Sequence, residues 1–297
     1  MMTQAEREAA YQRVRAELGI DMIGTGPDAR PLPPRRGREP RRGAALPIES
    51  QIHGAVRFYE YGEVWGRPGL DLRTRCFISI AAVAAMGHED QLYRQINSAL
   101  NIGITPDEVH VALLQVSVYG GISAWEQGAG VANELFVVRG VLPPGDGVTV
   151  EPTRAMNHDE RRAASDRVMA SVGGGRLGVG PDAPPLQDLP GGVGMRGATT
   201  AIGQEFGAIG GQYGYGEVWG FPGLELRVKS FLTCAILQVM RENDQLRFHI
   251  NNALNLGITP DEVEEAVFHV GLYEGTSGWN LAWNVARNVF EQRGLLS

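Results

Sequence analysis

The sequence has 297 residues, of which 43% are hydrophobic and 21% charged, and its formal net charge at pH 7 is −7. These values are typical of a water-soluble globular protein with enough chain for two cores, and the acidic charge argues against nucleic acid as a main partner. No apolar run reaches the roughly 18 residues that a transmembrane helix requires, and the charged N-terminal segment lacks the pattern of a signal peptide. We therefore expect a cytoplasmic protein without a membrane partner.

The first predicted element is a helix near the N-terminus, and an irregular stretch follows it at Arg30–Gly43. Two interpretations of this stretch stay open. It is either a mobile surface loop or a loop that folds over a site and attracts an anion through its positive charge. The arginines of the second interpretation are Arg35, Arg36, Arg38, Arg41 and Arg42.

Four further helices are predicted after this stretch, and glycines separate the later ones. The first is an Ala-rich apolar run that is too long for a strand. In the sequence TPDE, Thr105 caps a helix, Pro106 occupies its first turn and Glu108 bonds back to the cap. The predicted helices are Leu72–Met86, Asp90–Asn101, a helix from TPDE to Tyr119, and Ser123–Val138. No run alternates with period two, so no sheet is expected.

The second half of the chain repeats the first at an offset of about 154 residues. YGEVWGRPGLDLR at Tyr61–Arg73 matches YGEVWGFPGLELR at Tyr215–Arg227, and INSALNIGITPDEV matches INNALNLGITPDEV. The period is too long for one unit of a solenoid, so it indicates two whole domains of one fold. We place them at residues 1–147 and 148–297, because the chain between them is rich in Pro and Gly.

The repeated segments together resemble the carboxymuconolactone decarboxylase family. The resemblance is carried by EVWG.PGL, by ALN.GITPDEV and by the Y.G break after the helix that GITPDEV opens, and it covers most of both units. It implies an all-α fold of about six helices per unit, a ring oligomer, and a site that needs no organic cofactor. The founding activity of that family is loss of CO₂ from a carboxylated muconolactone with a shift of the double bond.

A second branch of the same family, the AhpD-like peroxidases, uses a Cys-x-x-Cys pair followed by a histidine. The positions that match the two cysteines and the histidine hold His88, Gln91 and Gln95 in the first unit and Glu242, Gln245 and His249 in the second, and Cys76 and Ser230 match a glutamate of that pattern upstream, so neither unit has the paired thiols. Thiol–disulfide exchange needs both an attacking and a resolving thiol, so we do not expect a thiol peroxidase. Cys76 and Cys234 are interpreted as core residues, and two cysteines provide no metal cluster.

The candidate catalytic residues come from a difference between the units. His249 and His269 of the second unit replace Gln95 and Gln115 of the first, which cannot transfer protons. Each histidine shares its helix face with another polar residue. We expect the two imidazoles, a carboxylate and a phenol to converge on one pocket. The candidates are Glu242, His249, His269 and Tyr273, with Gln245 as a binding residue. Imidazole suits proton transfer near pH 7, although a histidine on such a helix is often only a packed residue.

Further substrate-binding candidates lie in the repeated motif and near the C-terminus. Glu217 and Arg227 belong to the second copy of the YGEVWG motif, and they could line a pocket or serve the structure. Trp279 and Trp283 are one helical turn apart and could form core packing or a wall for a flat ring. His88 is the only candidate base of the first unit in this region, and we interpret it as a residue of a solvated helix end.

The sequence therefore predicts a cofactor-independent lyase or isomerase, acting by acid–base chemistry on a small enolisable carboxylic acid or lactone in the second unit. One alternative is a tailoring enzyme of natural-product biosynthesis that acts on a larger, polyketide-like ring compound. An alternative from another class is a non-catalytic ligand-binding or scaffold protein. We expect a homo-oligomer, with a trimer favoured over a dimer because each chain would supply two ring positions.

Overall fold

The computed structural model describes residues 2–39, 43, 46–145, 156–189 and 199–296. Within these residues the architecture is all-α apart from one short ladder, and each unit contributes six α-helices. The first unit contains α1 (Gln4–Leu18), α2 (Pro47–Arg57), α3 (Leu72–Ala85), α4 (Glu89–Asn101), α5 (Pro106–Tyr119) and α6 (Ile122–Val138). The second contains α7 (His158–Val172), α8 (Ala201–Gly211), α9 (Leu226–Val239), α10 (Asn243–Asn255), α11 (Pro260–Glu274) and α12 (Thr276–Gln292).

The four helices predicted after the arginine-rich stretch are confirmed. Each of their ends lies within one residue of its predicted position. Thr105 accepts a hydrogen bond from the backbone N–H of Glu108, whose carboxylate accepts one from the backbone N–H of Thr105. Thr259 and Glu262 repeat the same capping box at the start of α11. These reciprocal bonds satisfy N–H groups that the first turn of a helix leaves unpaired.

Two features were not predicted. A two-residue antiparallel ladder joins Met22–Ile23 (β1) to Arg30–Pro31 (β2), so the expectation of no sheet is wrong in this small respect. The YGEVWG motif forms π-helical turns at Phe58–Val64 and Gln212–Trp219, which continue α2 and α8. A Cβ at Gly62 would stand 2.7 Å from the carbonyl oxygen of Arg7, so this glycine allows α1 to pack closely on the motif.

The two units share one hydrophobic core. Helix α3 of the first unit lies against α9 of the second, and these helices occupy equivalent places in the duplication. The remaining contacts are reciprocal, because α11 packs on α3 in the same way that α5 packs on α9. Such exchange is the pattern of an isologous, two-fold interface. The predicted boundary at 147 and 148 falls outside the described residues.

The described part of the arginine-rich stretch, residues 30–39, lies on the body of the first unit. Arg35 forms ion pairs with Glu89 at 2.5 Å and with Glu134 at 3.0 Å, and Arg38 lies 3.7 Å from Asp90. These two guanidinium groups therefore have carboxylate partners within the chain. Arg41 and Arg42 lie outside the described residues. No helix in the described part of the chain is long and apolar enough to cross a membrane.

Candidate active site between the two units

His269 is buried where the second unit meets the first. Its Nδ1 lies 3.3 Å from a guanidinium nitrogen of Arg75, and its Nε2 lies 2.9 Å from the hydroxyl oxygen of Ser79. Both partners belong to α3 of the other unit. The indole of Trp65, also from the first unit, meets the imidazole edge to face with 4.7 Å between ring centres. The surroundings of His269 are therefore completed by a different unit from the one that carries it.

The partners of His269 determine its tautomer. Arginine can only donate, so Nδ1 must accept from Arg75, and the ring hydrogen must reside on Nε2, where it is donated to the Ser79 oxygen. Burial, and then the charge of Arg75, lower the pKa of His269 well below its ordinary value. The imidazole is thus neutral at pH 7. This differs from the expectation of an ionisation near neutrality, because that expectation did not include burial beside a cation.

A charged network lies behind this imidazole. Arg75 donates to Glu265 at 2.9 Å and to the carbonyl oxygens of Leu70 and Arg67, at 3.2 Å and 3.0 Å. Arg67 donates to the other oxygen of Glu265 at 2.7 Å. Burial opposes ionisation of Glu265, but the hydrogen bonds from both arginines outweigh it, so the pKa of this carboxyl is lowered. Two guanidinium groups share one carboxylate, which leaves one net positive charge.

Tyr273 connects the network to a cavity. Its hydroxyl donates to the Ser79 oxygen at 2.7 Å, and its side chain lines an open cavity of about 850 Å³. The other walls come mainly from the first unit and include Tyr59, Glu60, His88, Gln91 and Arg94. His269 is not part of the lining, so it reaches the cavity only through Ser79 and Tyr273. We call this arrangement the first composite site.

The reciprocal interface holds the second composite site, and His249 lies there. The imidazole stacks on Trp219 with 5.7 Å between ring centres and meets Tyr119 of the first unit edge to face at 5.1 Å. Trp219 donates to the Tyr119 hydroxyl at 2.8 Å, and Gln115 donates to Thr233 at 2.9 Å. Burial lowers the pKa of His249 to about 3, and its Nδ1 has no hydrogen-bond partner among the described residues.

The structure does not bring the two histidines together. The contacts described above for His249 and His269 share no residue, because α10 and α11 present these side chains to different neighbours. Each composite site therefore has one of these two histidines. Gln115 stands in the second site where His269 stands in the first, and Gln95, which is buried, holds the position equivalent to His249. In the structure the two imidazoles therefore do not share the one pocket that the sequence analysis expected.

The remaining predicted residues lie apart from these contacts. Glu242 is exposed at the N-cap of α10, and Gln245 is half-buried on the same helix. Glu217 pairs with Arg161 of α7, and Arg227 pairs with Glu262 of α11, so both serve contacts within their own unit. Trp279 and Trp283 stack on each other with 6.1 Å between ring centres. The structural interpretation of these four residues agrees with their contacts.

His88 was underestimated from the sequence. It is exposed at the N-cap of α4, as expected for a helix end, but it also lines the same cavity as Tyr273. The available signal was its position, which matches that of Glu242 and of the first cysteine in the AhpD-like pattern. That signal alone did not indicate a cavity, because the wall opposite is supplied by the other unit.

The thiols are placed as core residues. Cys76 is fully buried and Cys234 is half-buried beside the apolar core. Burial raises the pKa of the Cys76 thiol and raises that of Cys234 to about 12, so neither forms a thiolate readily near pH 7. Among the described residues, no group of three or more His, Cys, Asp or Glu side chains could hold a metal ion.

Comparisons with known proteins support the duplication. The model of the carboxymuconolactone decarboxylase family matches residues 54–134 and again residues 204–288. The 4-carboxymuconolactone decarboxylase of Acinetobacter baylyi is 36% identical over 92 residues, which are 31% of this chain and 69% of that protein.

Two other relatives are covered over less than two thirds of their length. An uncharacterised 15.0 kDa protein of Paracoccus denitrificans is 31% identical over 78 residues, which are 26% of this chain and 58% of the relative. The nitrosuccinic acid decarboxylase of Metarhizium robertsii is 36% identical over 65 residues, which are 22% of this chain and 46% of the relative.

Proposed function

The chain belongs to the carboxymuconolactone decarboxylase family, and from that premise we propose that it is a lyase that removes CO₂ from an enolisable carboxylic acid. Two of the three relatives described above are named as decarboxylases, which supports this class of reaction. The reaction is placed at the first composite site and proceeds by acid–base chemistry without an organic cofactor. With neither cysteine poised as a thiolate, a thiol peroxidase is not proposed.

The observation that carries this proposal is the orientation of Tyr273. Its side chain lines the cavity, and from its hydroxyl a continuous chain of polar contacts runs through Ser79, His269 and Arg75 to Glu265. Donors that are fixed before the reaction stabilise developing negative charge without having to reorganise. The two arginines and one carboxylate at the far end of this chain of contacts carry one net positive charge.

In the proposed reaction, the bond between the carboxylate carbon and its neighbour breaks, and CO₂ leaves. The electron pair of that bond moves into an adjacent carbonyl or nitro group, whose oxygen gains negative charge. Tyr273, whose one O–H is donated to Ser79 in the structure, turns that hydrogen to this oxygen, and the Ser79 hydroxyl then donates to the Tyr273 oxygen while it still accepts from His269. A proton is then delivered to carbon, and His88 is the imidazole in the cavity lining that can supply it. Solvent restores the proton on His88 through the open side of the cavity.

His269 has a positioning role in this scheme. A neutral, fully buried imidazole that receives a hydrogen bond from Arg75 is a poor proton donor. It can instead orient Ser79, and through Ser79 it orients the Tyr273 hydroxyl, as supporting residues do in other preorganised sites. The earlier hypothesis that His269 itself carries the proton is thus replaced by a proposal in which it acts through Tyr273.

The size of the cavity supports a second candidate. Ligand pockets commonly measure about 300–1,000 Å³, and a cavity of about 850 Å³ is larger than a single lactone ring needs. Tyr59, Val56 and Leu272 provide aromatic and aliphatic surface in the lining. A larger ring-containing acid, as in natural-product tailoring, would use this surface. A non-catalytic member would bind such an acid in the same cavity without releasing CO₂.

The test compares the same substitution at equivalent positions of the two sites. Purified protein is incubated in D₂O with 4-carboxymuconolactone, nitrosuccinate and larger ring-containing acids, and NMR measures CO₂ release and deuterium at carbon. Tyr273→Phe should lower kcat by roughly 10²–10³-fold, the usual cost of losing one such donor. Tyr119→Phe should stay within about threefold. Binding without CO₂ release would favour the non-catalytic alternative, and loss in Tyr119→Phe alone would place the reaction in the second composite site.

A further inference from the structure

The first unit has an arginine on the cavity wall where the second unit has a phenylalanine. Arg94 of α4 is half-buried and lines the cavity together with Tyr273. At the offset of the duplication its equivalent is Phe248 of α10. Phe248 meets the imidazole of His249 edge to face with 5.3 Å between ring centres, and a Cβ at Gly175 would stand 2.6 Å from its ring. The same position is therefore packed in one unit and faces a cavity in the other.

The helix itself orients the side chain of Arg94. The guanidinium donates a hydrogen bond to Oε1 of Gln91 at 2.5 Å, and Gln91 also lines the cavity. Residues three positions apart share a helix face, so His88, Gln91 and Arg94 present one polar face of α4 to the cavity. A guanidinium is always charged near pH 7, and its planar fork of N–H donors matches the two oxygens of a carboxylate. Arg94 therefore has the chemistry of a site for an acid group.

A second guanidinium reaches the same cavity from the arginine-rich stretch. Arg35 anchors this stretch on α4 and α6 through Glu89 and Glu134. Arg38 follows three residues later and lines the cavity. It lies 3.7 Å from Asp90, but the two side chains are 60% and 50% exposed, and an ion pair of this kind contributes little free energy. Arg38 can therefore turn from Asp90 to an acid bound in the cavity.

Three carboxylates also line the cavity, and they limit where a bound acid can lie. Glu89 pairs with Arg35 at 2.5 Å and Asp90 lies 3.6 Å from the same guanidinium, which is not itself part of the lining. Arg35 therefore offsets charge at these two groups. Glu60 comes from the π-helical turns after α2, whereas Arg94 comes from α4. An acid group of the substrate is thus expected on the α4 side of the cavity.

The proposed chemistry decides which acid group this can be. An ion pair with the departing carboxylate would stabilise the starting acid and would be lost as neutral CO₂ forms, so it would raise the barrier. A carboxylate that keeps its charge throughout the reaction is bound equally well before and during CO₂ loss. Such binding lowers KM and leaves kcat unchanged.

We propose that Arg94, supported by Arg38, binds a second carboxylate of the substrate, one that the reaction leaves in place. The inference rests on the proposed function, because it takes the first composite site as the place of the reaction. Arg94 is then the residue that selects a dicarboxylic acid over the corresponding acid with one charge. The second composite site lacks this selection, because Phe248 holds the equivalent position.

The first experiment measures binding without turnover in the full chain. An NMR titration compares succinate, which has no group that can take up the electron pair of a departing CO₂, with its monomethyl ester. We expect the wild type to bind succinate roughly 10–10²-fold more tightly than the ester, the size of a hydrogen bond between charged groups. Arg94→Phe, which copies Phe248, should lose this preference, and Arg94→Lys should keep part of it. Arg38→Ala should lower it by about threefold.

The matched control is Arg36→Ala, which removes an exposed arginine of the same stretch that is not part of the cavity lining and should leave the preference unchanged. Circular dichroism verifies folding, and Arg94→Gln replaces the Phe variant if that variant does not fold. Turnover is then measured with nitrosuccinate and with its methyl ester at the carboxylate remote from the nitro group. Arg94→Phe should raise KM for nitrosuccinate by roughly 10–10²-fold with kcat within about threefold, and should leave KM for the ester unchanged.

The outcomes separate this inference from the proposed function. A wild type that binds succinate no more tightly than the ester overturns the inference, and so does a folded Arg94→Phe that keeps the preference. Equal weakening of both ligands would show a structural role for Arg94 and would also overturn it. If the wild type prefers succinate through Arg94 but releases no CO₂ from any acid, the proposed function fails, while the site for the second carboxylate stands.

Discussion

The two composite sites are built from equivalent residues of one duplicated fold, yet only the first has a charged network. Glu265, Arg75 and His269 of the first site correspond to Val111, Lys229 and Gln115 of the second. In the first site a carboxylate, a guanidinium and an imidazole form a connected chain. In the second, the ammonium group of Lys229 donates to the carbonyl oxygens of Val218, Trp219 and Phe221.

This difference shows how duplication can separate roles that a symmetric oligomer must keep identical. In a ring of identical units, every interface has the same residues. Here one interface keeps the polar chain that ends at Tyr273, and the other becomes a packed aromatic cluster around His249. Burial lowers the pKa of Lys229 to about 8, which shows how closely this amine is enclosed. Exchanging residues between the sites therefore tests the comparison directly.

The largest effect is expected from Glu265→Val, which copies Val111 into the first site. The fully buried guanidinium of Arg75 would lose its carboxylate, and breaking a buried pair in this way costs about 3–5 kcal/mol of unfolding free energy. Urea denaturation measures the loss. The double variant Glu265→Val/Arg75→Lys copies both Val111 and Lys229 into the first site and should recover part of the stability. A single variant as stable as the wild type would show that the network is dispensable.

A smaller effect is expected when the histidines are replaced by the glutamines of the opposite site. His269→Gln should lower kcat by roughly 10–10²-fold, because Tyr273 loses its orientation but keeps its hydroxyl, whereas a proton carrier would cost about 10²–10⁴-fold. His249→Gln should stay within about threefold.

Substitution of His88 distinguishes these roles further. His88→Gln should lower kcat by roughly 10²–10⁴-fold, the usual size of an acid–base contribution, and more than His269→Gln does. A larger effect in His269→Gln would show that His269 is the proton carrier.

The pH dependence of stability should reveal both buried imidazoles. The pKa of His249 falls to about 3 on folding, so between about pH 6.5 and 3 the unfolded chain binds the extra proton and the folded chain does not. The contribution of this histidine to the unfolding free energy should therefore be largest above about pH 6.5 and should decrease as the pH falls. The slope from one such histidine is at most about 1.4 kcal/mol per pH unit. His249→Gln should flatten the curve, and an unchanged curve would mean that this imidazole is protonated in the folded state.

The smallest effect is expected from the thiols. Replacing Cys76 and Cys234 together by Ala should leave kcat within about tenfold, because both thiols belong to the hydrophobic core that the two units share and neither lines the cavity of the first site. Unfolding free energy is measured in parallel to account for the packing loss. A folded double variant without turnover would show that a thiol takes part in the reaction.

Much of the fold could be predicted because its signals are local. The capping residues Thr105 and Glu108 lie three positions apart in the chain, and the structure has their hydrogen bonds. The π-helical turns could not be predicted in the same way. In the first of them Gly62 lies against Arg7, which is 55 positions away, and no periodicity in the motif reports that contact.

The sequence by itself determined the duplication, the helices, the family, and the identity of the unusual residues His249, His269 and Tyr273. Only the tertiary structure decided which of them meet. Helix α11 is buried on most of its sides, so its pattern could not indicate whether His269 faces α10 of its own unit or α3 of the other. In the structure α11 packs on α3 of the other unit and His269 faces that helix. The Arg75 and Ser79 groups there satisfy both nitrogens of the buried imidazole.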